Sequence, residues 1–241
     1  MRAGDTAGQI TSGAEALDRA RRAKTFKSGS EGLDRILEGG FRTGRLIEFF
    51  GRSNSGKSQI AMQGSMMAAA GGALVLYIDS EGAFRPERVK SMADARGMDD
   101  EAILSRIIYL RVKSASEQME AIQTMPAEES TRDVKVVVVD TLTKNFSVDL
   151  PGRANMMTRQ ERLGIHLSEM ARDAQMNQRA YLITNRVTFG KDDSDVAVGG
   201  GTVTQLVHDS ILLRRRGESI EAKSAITGDS VVVSLGLKGV E

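Results

Sequence analysis

The chain has 241 residues, of which 40% are hydrophobic and 27% are charged, values typical of a globular protein with a substantial core. Its formal net charge of +1 excludes neither a nucleic-acid partner nor a small-molecule substrate, so DNA would have to be bound by a local basic patch. The absence of cysteine excludes disulfides and cysteine metal sites, and the absence of a signal segment or of an apolar run of about 20 residues predicts a cytoplasmic protein with no membrane partner.

The N-terminal part of the sequence contains signals for two short helices and one strand. Good helix formers over residues 14–22 predict a helix, and a second predicted helix, residues 29–40, is closed by Gly39 and Gly40. The apolar residues 46–50 predict the first strand of a sheet. This strand leads directly into the most informative stretch of the sequence.

Residues 51–58 match the pattern G-x-x-x-x-G-K-[ST] and lie between that strand and a helical pattern. In this context the backbone N–H groups of the loop and of the new helix point inward and bind phosphate. Lys57 is predicted to reach the β- and γ-phosphates, and Ser58 to hold Mg²⁺. A glycine turn that matches by chance is the alternative, and both flanks disfavour it. The predicted nucleotide-binding residues of this segment are Gly51, Arg52, Ser53, Asn54, Ser55, Gly56, Lys57, Ser58 and Gln59.

Strands and helices alternate along the rest of the chain. The predicted strands are residues 73–78, 107–110, 135–139 and 181–184, and the predicted helices are residues 85–96, 114–125 and 158–174. A polar, glycine-rich loop is predicted over residues 188–201, and closing strands over residues 210–213, 220–223 and 231–235. This alternation predicts an α/β fold: a mostly parallel twisted sheet with helices on both faces and antiparallel closing strands.

Polar residues follow three of the predicted parallel strands, where such sheets bind their ligands. Asp140 ends a run of valines and is expected to position Mg²⁺, with a helix cap or loop acid as the alternative. Glu81 is a candidate for orienting the attacking water, with an ordinary surface acid as the alternative. Asn185 and Arg186 are candidates for sensing the γ-phosphate, with simple loop polarity as the alternative.

Three segments carry a resemblance to a known family. They are residues 29–59 with the glycine loop, residues 77–88 (Tyr-Ile-Asp-Ser-Glu-Gly-Ala-Phe-Arg-Pro-Glu-Arg) and residues 139–143 (Val-Asp-Thr-Leu-Thr). They resemble the core of archaeal RadA and its eukaryotic recombinase counterparts in the RecA superfamily, and the second segment is highly specific. The resemblance implies a RecA-like P-loop NTPase core over residues 29–241. It also implies that residues 1–28 form an N-terminal segment with a short helix and a subunit-docking motif.

The resemblance implies a DNA-dependent ATPase that uses ATP and Mg²⁺ in homologous recombination and DNA repair. Such a protein binds single-stranded DNA, and double-stranded DNA during strand exchange, as a homo-oligomer or in an assembly with a recombinase. An alternative is an accessory recombinase paralogue that binds ATP, DNA and a recombinase partner with little hydrolysis or strand exchange. A RecA-fold ATPase with an unrelated role is a third alternative, which residues 77–88 disfavour.

The same resemblance assigns roles at the nucleotide. Glu81 matches the glutamate that activates water, and Lys57 joins it as a catalytic residue. Arg85 lies where the family often has an arginine near the adenine. His208 resembles a histidine that reaches the γ-phosphate from a neighbouring subunit, and an ordinary surface or core histidine is its alternative.

Two loops correspond to the family's DNA-binding loops. Arg153 and Arg159 match the first loop and the start of the following helix, which makes them candidates for phosphate-backbone contacts. Ordinary solvated surface arginines are the alternative. Lys191 is the only basic residue of the loop at residues 188–201, which occupies the place of the second DNA-binding loop.

The sequence departs from the family pattern at several positions. After Thr184 and Asn185 the family has a glutamine that couples ATP to DNA, but this chain has Arg186, whose cationic side chain is able to contact phosphate directly. Asn185 and Arg186 are therefore the candidate coupling residues. Ile10 and Gly13 lie where relatives carry the docking segment Phe-x-x-Ala, which predicts weaker or differently specific oligomerisation. A shorter second DNA loop and the missing helix-hairpin-helix domain fit a paralogue or a minimal or shortened recombinase.

Overall fold

The computed structural model describes residues 12–189 and 195–241, without the side chains of Ala16 and Phe189. Its strands are β1 (Thr25–Phe26), β2 (Phe41–Arg42), β3 (Leu46–Gly51), β4 (Leu74–Asp79), β5 (Ile107–Arg111), β6 (Val134–Asp140), β7 (Ala180–Asn185), β8 (Val187–Phe189), β9 (Asp195–Ala197), β10 (Asp209–Arg216), β11 (Ser219–Ser224), β12 (Ser230–Gly236) and β13 (Gly239–Val240). Its helices are α1 (Gly13–Arg21), α2 (Glu31–Ile36), α3 (Lys57–Ala70), α4 (Pro86–Ala95), α5 (Asp100–Leu104), α6 (Ala115–Thr124), α7 (Lys144–Asp149), α8 (Met156–Asn177) and α9 (Gly201–Leu206).

The central sheet has nine strands in the order β13-β12-β11-β10-β3-β7-β6-β4-β5. Neighbouring strands from β10 to β5 are parallel, whereas β11, β12 and β13 pair antiparallel with their neighbours. This topology confirms the prediction of a mostly parallel sheet with antiparallel closing strands. Because parallel strands point the same way, the C-terminal ends of β3, β4, β6 and β7 meet at one edge, called the carboxyl edge below.

Both faces of the sheet are covered, which explains the uninterrupted apolar character of its central strands. Residues 136–139 of β6 are valines with no solvent exposure. On one face the sheet packs against α3 through Ile60 and Met66, and on the other it packs against α8 through Leu163 and Leu167. Burial at about 25 cal/mol per Å² of apolar surface makes these two cores the main support of the carboxyl edge.

The structure differs from the sequence-based expectation in two segments. Residues 188–201 are not one continuous loop: β8 and β9 form an antiparallel hairpin with Val187 opposite Ala197, and α9 begins at Gly201. Strands of three residues are too short to show an alternating pattern in the sequence. The helix expected over residues 29–40 is shorter and ends at Ile36, because Glu38 adopts a left-handed φ angle of 53° and the N–H of Gly39 closes the helix end on the carbonyl oxygen of Asp34 at 2.7 Å.

Several further boundaries differ or were not expected. Helix α8 is longer than the predicted residues 158–174 and begins beside the first candidate DNA loop. The short elements α5, α7, β1, β2 and β13 were not predicted, because each has too few residues to display a period. Among the described residues, no helix is both long enough and apolar enough to cross a membrane. The division of the chain at residues 28 and 29 stays a prediction.

Candidate nucleotide-binding and catalytic site

The glycine loop connects β3 to α3 at the carboxyl edge. Gly56, the N-cap of α3, has a φ angle of 99°, and a Cβ atom there would lie 2.5 Å from Cδ1 of Ile220. A Cβ atom at Gly51 would lie 2.5 Å from the carbonyl oxygen of Leu213. Within the described structure, no side chain caps the first turn of this 14-residue helix. The loop is therefore a backbone cradle that only glycine fits at both positions, and its chemistry fits phosphate.

The ammonium group of Lys57 lies at the centre of this loop. Its Nζ atom donates hydrogen bonds to the carbonyl oxygens of Gly51 (2.9 Å) and Arg52 (2.7 Å). Burial lowers the pKa of Lys57, while the nearby carboxylates of Asp140 and Glu81 act in the opposite direction. The loop thus holds a cation at the position where the sequence predicts contact with the phosphates.

Ser58 and Asp140 form the oxygen-rich part of the site. The Ser58 hydroxyl donates to Oδ1 of Asp140 at 3.2 Å, and the Tyr77 hydroxyl donates to Oδ2 at 2.8 Å. Thr184 also donates to this carboxylate, which is 1% exposed at the end of β6. Burial raises the pKa of Asp140, and the hydrogen bonds that it accepts oppose that shift. A hydroxyl and a carboxylate are hard oxygen donors, so this pair fits Mg²⁺.

No group of three or more His, Cys, Asp or Glu residues is placed to hold a metal ion in the part of the chain that the structure describes. A magnesium site does not require such a group. Mg²⁺ is usually held by one or two carboxylates together with water and substrate phosphates, and not by a cage of protein ligands.

Glu81 and Arg186 form an ion pair beside the loop. Nε of Arg186 donates to Oε1 of Glu81 at 3.1 Å, and Nη2 donates to the same oxygen. Both side chains line a cavity of about 580 Å³ together with residues 51–59. The structure thus brings the candidate water-activating carboxylate to the nucleotide loop, but with an arginine bound to it.

Asp79 is a site residue that the sequence reasoning missed. Its buried carboxylate accepts hydrogen bonds from four consecutive N–H groups, those of Glu81 (2.9 Å), Gly82 (2.7 Å), Ala83 (3.2 Å) and Phe84 (3.1 Å). The turn that carries Glu81 is therefore built around this side chain. Asp79 ends the apolar strand β4 just as Asp140 ends β6. This similarity is the sequence signal that could have identified Asp79 as a site residue.

Asn185 lies below the cavity and is fully buried. Its amide nitrogen donates to Oε1 of Glu48 and to the carbonyl oxygen of Val198, both at 2.8 Å, and its amide oxygen accepts from the Thr143 hydroxyl at 2.8 Å. Burial raises the pKa of Glu48. Asn185 therefore joins β3, β7, the segment after β9 and the start of α7, the helix that leads to the first candidate DNA loop.

Arg85 and Gln59 are bound to neighbouring groups. Nη1 of Arg85 donates to the carbonyl oxygens of Gly82 (2.7 Å) and Phe84 (2.9 Å), so the side chain folds back on its own turn. The side chain of Gln59 lines the cavity and accepts a hydrogen bond from Nε of Arg88 at 3.0 Å. A role for Arg85 at the adenine stays a prediction.

His208 lies at the opposite edge of the sheet from the glycine loop. Its Nδ1 atom accepts a hydrogen bond from the N–H of Leu46, the first residue of β3, at 3.2 Å. The six residues of β3 place roughly 20 Å between the two edges. His208 therefore has no access to the nucleotide loop of its own chain, and the predicted contact requires a second subunit.

The candidate DNA-binding and docking residues are only partly covered by the structure. Arg153 is exposed in the connection between α7 and α8, and its guanidinium makes no hydrogen bond or ion pair with the described residues. Nη1 of Arg159 donates to the carbonyl oxygen of Leu150 at 2.6 Å. Gly13 is the first residue of α1, whereas Lys191 and Ile10 lie outside the described residues.

Comparison with known proteins identifies the family. The Rad51 family model matches residues 19–218. The chain is 33% identical over 243 residues to the meiotic recombination protein DMC1 of Saccharomyces cerevisiae, and the alignment covers 93% of this chain and 73% of DMC1. It is 34% identical over 213 residues to the DNA repair and recombination protein RadA of Ignicoccus hospitalis (84% of this chain, 64% of that protein). It is 37% identical over 193 residues to RadA of Metallosphaera sedula (75% of this chain, 59% of that protein). The resemblance seen in the sequence is thereby confirmed, and the chain belongs to the Rad51 family.

Proposed function

We propose that this protein is a DNA-dependent ATPase of the RadA type that binds single-stranded DNA and acts in homologous recombination and DNA repair. The observation that carries the proposal is the meeting of Lys57, Ser58 and Glu81 at one cavity on the carboxyl edge, with the buried Asp140 bonded to Ser58. A cavity of about 580 Å³ is large enough for much of a nucleotide. The names of the relatives, which refer to recombination and repair, support the same conclusion.

In this proposal each residue has a distinct task. The loop N–H groups and Lys57 bind the β- and γ-phosphates of ATP. Mg²⁺, when bound by Ser58 and Asp140 directly or through water, neutralises part of the phosphate charge. Glu81 orients the attacking water and accepts its proton, while Asp79 keeps the turn that carries Glu81 in place.

DNA binding is assigned to the exposed connection between α7 and α8. Arg153 is available for a phosphate contact, and Arg159 and Lys191 are further candidates. The predicted contacts are arginines and a lysine without stacking aromatics, so binding is expected to be directed at the backbone and sensitive to salt. Assembly into a homo-oligomer or with a recombinase belongs to the same proposal, in which His208, far from its own nucleotide loop, reaches the nucleotide of a neighbouring subunit.

One observation favours the alternative of an accessory paralogue with little hydrolysis. Arg186 occupies one oxygen of the Glu81 carboxylate, so that oxygen is less available to hold a water molecule. The nucleotide would then serve mainly to support binding of DNA and of a recombinase partner.

Steady-state ATP hydrolysis with and without single-stranded DNA tests the proposal. For the native protein, DNA should stimulate hydrolysis, and Glu81→Gln should abolish that stimulation while ATP still binds. Glu87→Gln, an exposed glutamate in α4, is the matched control and should behave like the native protein. Bound ATP with negligible hydrolysis in all conditions would favour the accessory paralogue, and failure to bind ATP would contradict both alternatives.

A further inference from the structure

The Arg186–Glu81 ion pair lines the cavity that is proposed to bind the nucleotide. Arg186 follows β7 and Glu81 follows β4, and both line the same cavity as Lys57. The side chain of Arg186 is 53% exposed and that of Glu81 is 32% exposed, so both can move without disturbing the core. The pair is therefore a partly exposed contact at the place where the sequence predicts the terminal phosphate.

The charges of the cavity favour a polyanion over the Glu81 carboxylate as the partner of Arg186. Basic side chains that line the cavity are Arg52, Lys57, Arg186 and Arg215, and Glu81 is the acidic side chain among its lining residues. The charges of Glu81 and Arg186 both act on the pKa of Lys57, so the three groups lie within electrostatic reach of one another. A guanidinium binds phosphate oxygens in a forked, charge-assisted geometry, and a terminal phosphate carries more charge than one carboxylate.

We infer that Arg186 is a triphosphate-selective binding residue that exchanges the Glu81 carboxylate for the terminal phosphate of a bound nucleoside triphosphate. This inference rests on the proposed function, because it takes the cavity to be the nucleotide site. The exchange has two consequences. Arg186 contributes to the binding of a triphosphate but not of a diphosphate, which lacks the terminal phosphate. Glu81 is released to orient water only when a triphosphate is present.

The ion pair links the charge of Glu81 to the affinity for a triphosphate. Since Glu81 and the terminal phosphate compete for one guanidinium, removal of the Glu81 charge should strengthen triphosphate binding, and the gain should be larger when Arg186 is present than when it is absent. The pair is partly exposed and screened by solvent, so the gain should be moderate. Loss of the guanidinium itself removes a charge-assisted contact and should have the larger effect.

A double-mutant cycle of nucleotide affinity tests this inference without any measurement of activity. Calorimetry with Mg²⁺ gives the dissociation constants of ADP and of a non-hydrolysable ATP analogue for the native protein, Glu81→Gln, Arg186→Gln and the double variant. Arg186→Gln should raise the dissociation constant of the analogue by about 10-fold and change that of ADP by no more than about 2-fold. Glu81→Gln should strengthen binding of the analogue by about 3-fold in the native background and by less in the Arg186→Gln background, where only the direct repulsion between carboxylate and phosphate is removed.

Two further variants keep the test specific. Arg186→Lys retains the charge but loses the fork, and its affinity for the analogue should lie between those of the native protein and Arg186→Gln. Arg132→Gln removes another exposed arginine, one that lies near Asp133 and outside the cavity, and it should change neither dissociation constant.

The possible results separate the inference from the proposed function. Equal loss of ADP and analogue affinity in Arg186→Gln, or a Glu81→Gln effect of the same size in both backgrounds, would overturn the inference while nucleotide binding stands. Failure of the native protein to bind either nucleotide would overturn the proposed function and the inference together.

Discussion

The nucleotide loop and the first candidate DNA loop differ in how firmly their functional side chains are held. At the nucleotide loop, Lys57 donates to two carbonyl oxygens and Ser58 donates to Asp140. In the connection between α7 and α8, Arg153 is exposed and its guanidinium makes no hydrogen bond with the described residues. Phosphate binding therefore begins from a preformed site, whereas DNA binding must also order long side chains, at a cost in rotamer entropy.

The two regions are nevertheless joined by a buried chain of hydrogen bonds. Asn185 is the last residue of β7, the strand next to β3, and its amide oxygen accepts a hydrogen bond from Thr143 at the N-terminal end of α7. We expect a change at the nucleotide cavity to reach the candidate DNA loop through this contact. Four predictions test the difference in rigidity and its basis, from the largest expected effect to the smallest.

Lys57→Ala should have the largest effect, because it removes the cation from the centre of a preformed site. We expect ATP affinity and hydrolysis to fall by about 100-fold or more. The measurement is ATP binding by calorimetry and steady-state hydrolysis. Lys90→Ala, an exposed lysine of α4 paired with Asp94 and Asp100, is the matched control. Near-native ATP binding by Lys57→Ala would show that the loop is not the phosphate site.

Asp79→Asn should damage catalysis more than nucleotide binding, since it loosens the turn that positions Glu81. We expect kcat to fall by about 10- to 100-fold with a much smaller change in KM. Asp94→Asn, an exposed carboxylate in α4, serves as the control. If KM rises as much as kcat falls, Asp79 supports the site as a whole and does not specifically position Glu81.

The titration of His166 tests whether α8, the helix that follows the first candidate DNA loop, is as firmly packed as the nucleotide site. Burial in α8 lowers its pKa from 6.5 to about 4, and its Nδ1 atom has no hydrogen-bond partner among the described residues. Folding therefore favours the neutral ring, so its contribution to stability is complete above pH 6.5 and is lost as the pH falls toward 4. Between pH 7 and pH 5 this amounts to about 2 kcal/mol of unfolding free energy.

Chemical denaturation of the native protein and of His166→Leu at both pH values measures that contribution. Between pH 7 and pH 5 the free energy of unfolding should fall by about 2 kcal/mol less in the variant than in the native protein, because leucine does not titrate. Equal losses for the two proteins would mean that His166 is accessible to protons in the folded state.

Arg153→Ala should have the smallest effect, because one exposed arginine contributes one phosphate contact. We expect affinity for single-stranded DNA to fall by about 10-fold at low salt and the slope of log affinity against log salt to decrease by about 0.7. Fluorescence anisotropy over a range of salt concentrations provides both values. Arg132→Ala, an exposed arginine near Asp133, should bind DNA like the native protein. Unchanged affinity in Arg153→Ala would remove this loop from the DNA interface.

The parts of the structure that sequence predicted are those that depend on neighbours along the chain. The strand, glycine loop and helix around Gly51 form one continuous segment, and the valine run before Asp140 identifies a buried central strand by itself. Their meeting at one edge follows from the parallel direction of the strands. The fold class and the position of the nucleotide loop were therefore within reach of the sequence.

The parts that sequence did not predict depend on partners that are far apart in the chain. The ion pair joins residues that are 105 positions apart, and Asn185 binds Glu48 across 137 positions. The four N–H bonds to Asp79 arise from the path of a tight turn and not from a periodic pattern. Such contacts are set by packing of the whole sheet, which one sequence does not display.

Binding of a labelled single-stranded oligonucleotide, with and without a non-hydrolysable ATP analogue, tests most directly whether the preformed nucleotide site governs the loosely held DNA loop. The predicted result is that the analogue raises DNA affinity of the native protein by about 10-fold and has no effect on Lys57→Ala. Equal DNA affinity of the native protein with and without the analogue, or an undiminished response in Lys57→Ala, would contradict it.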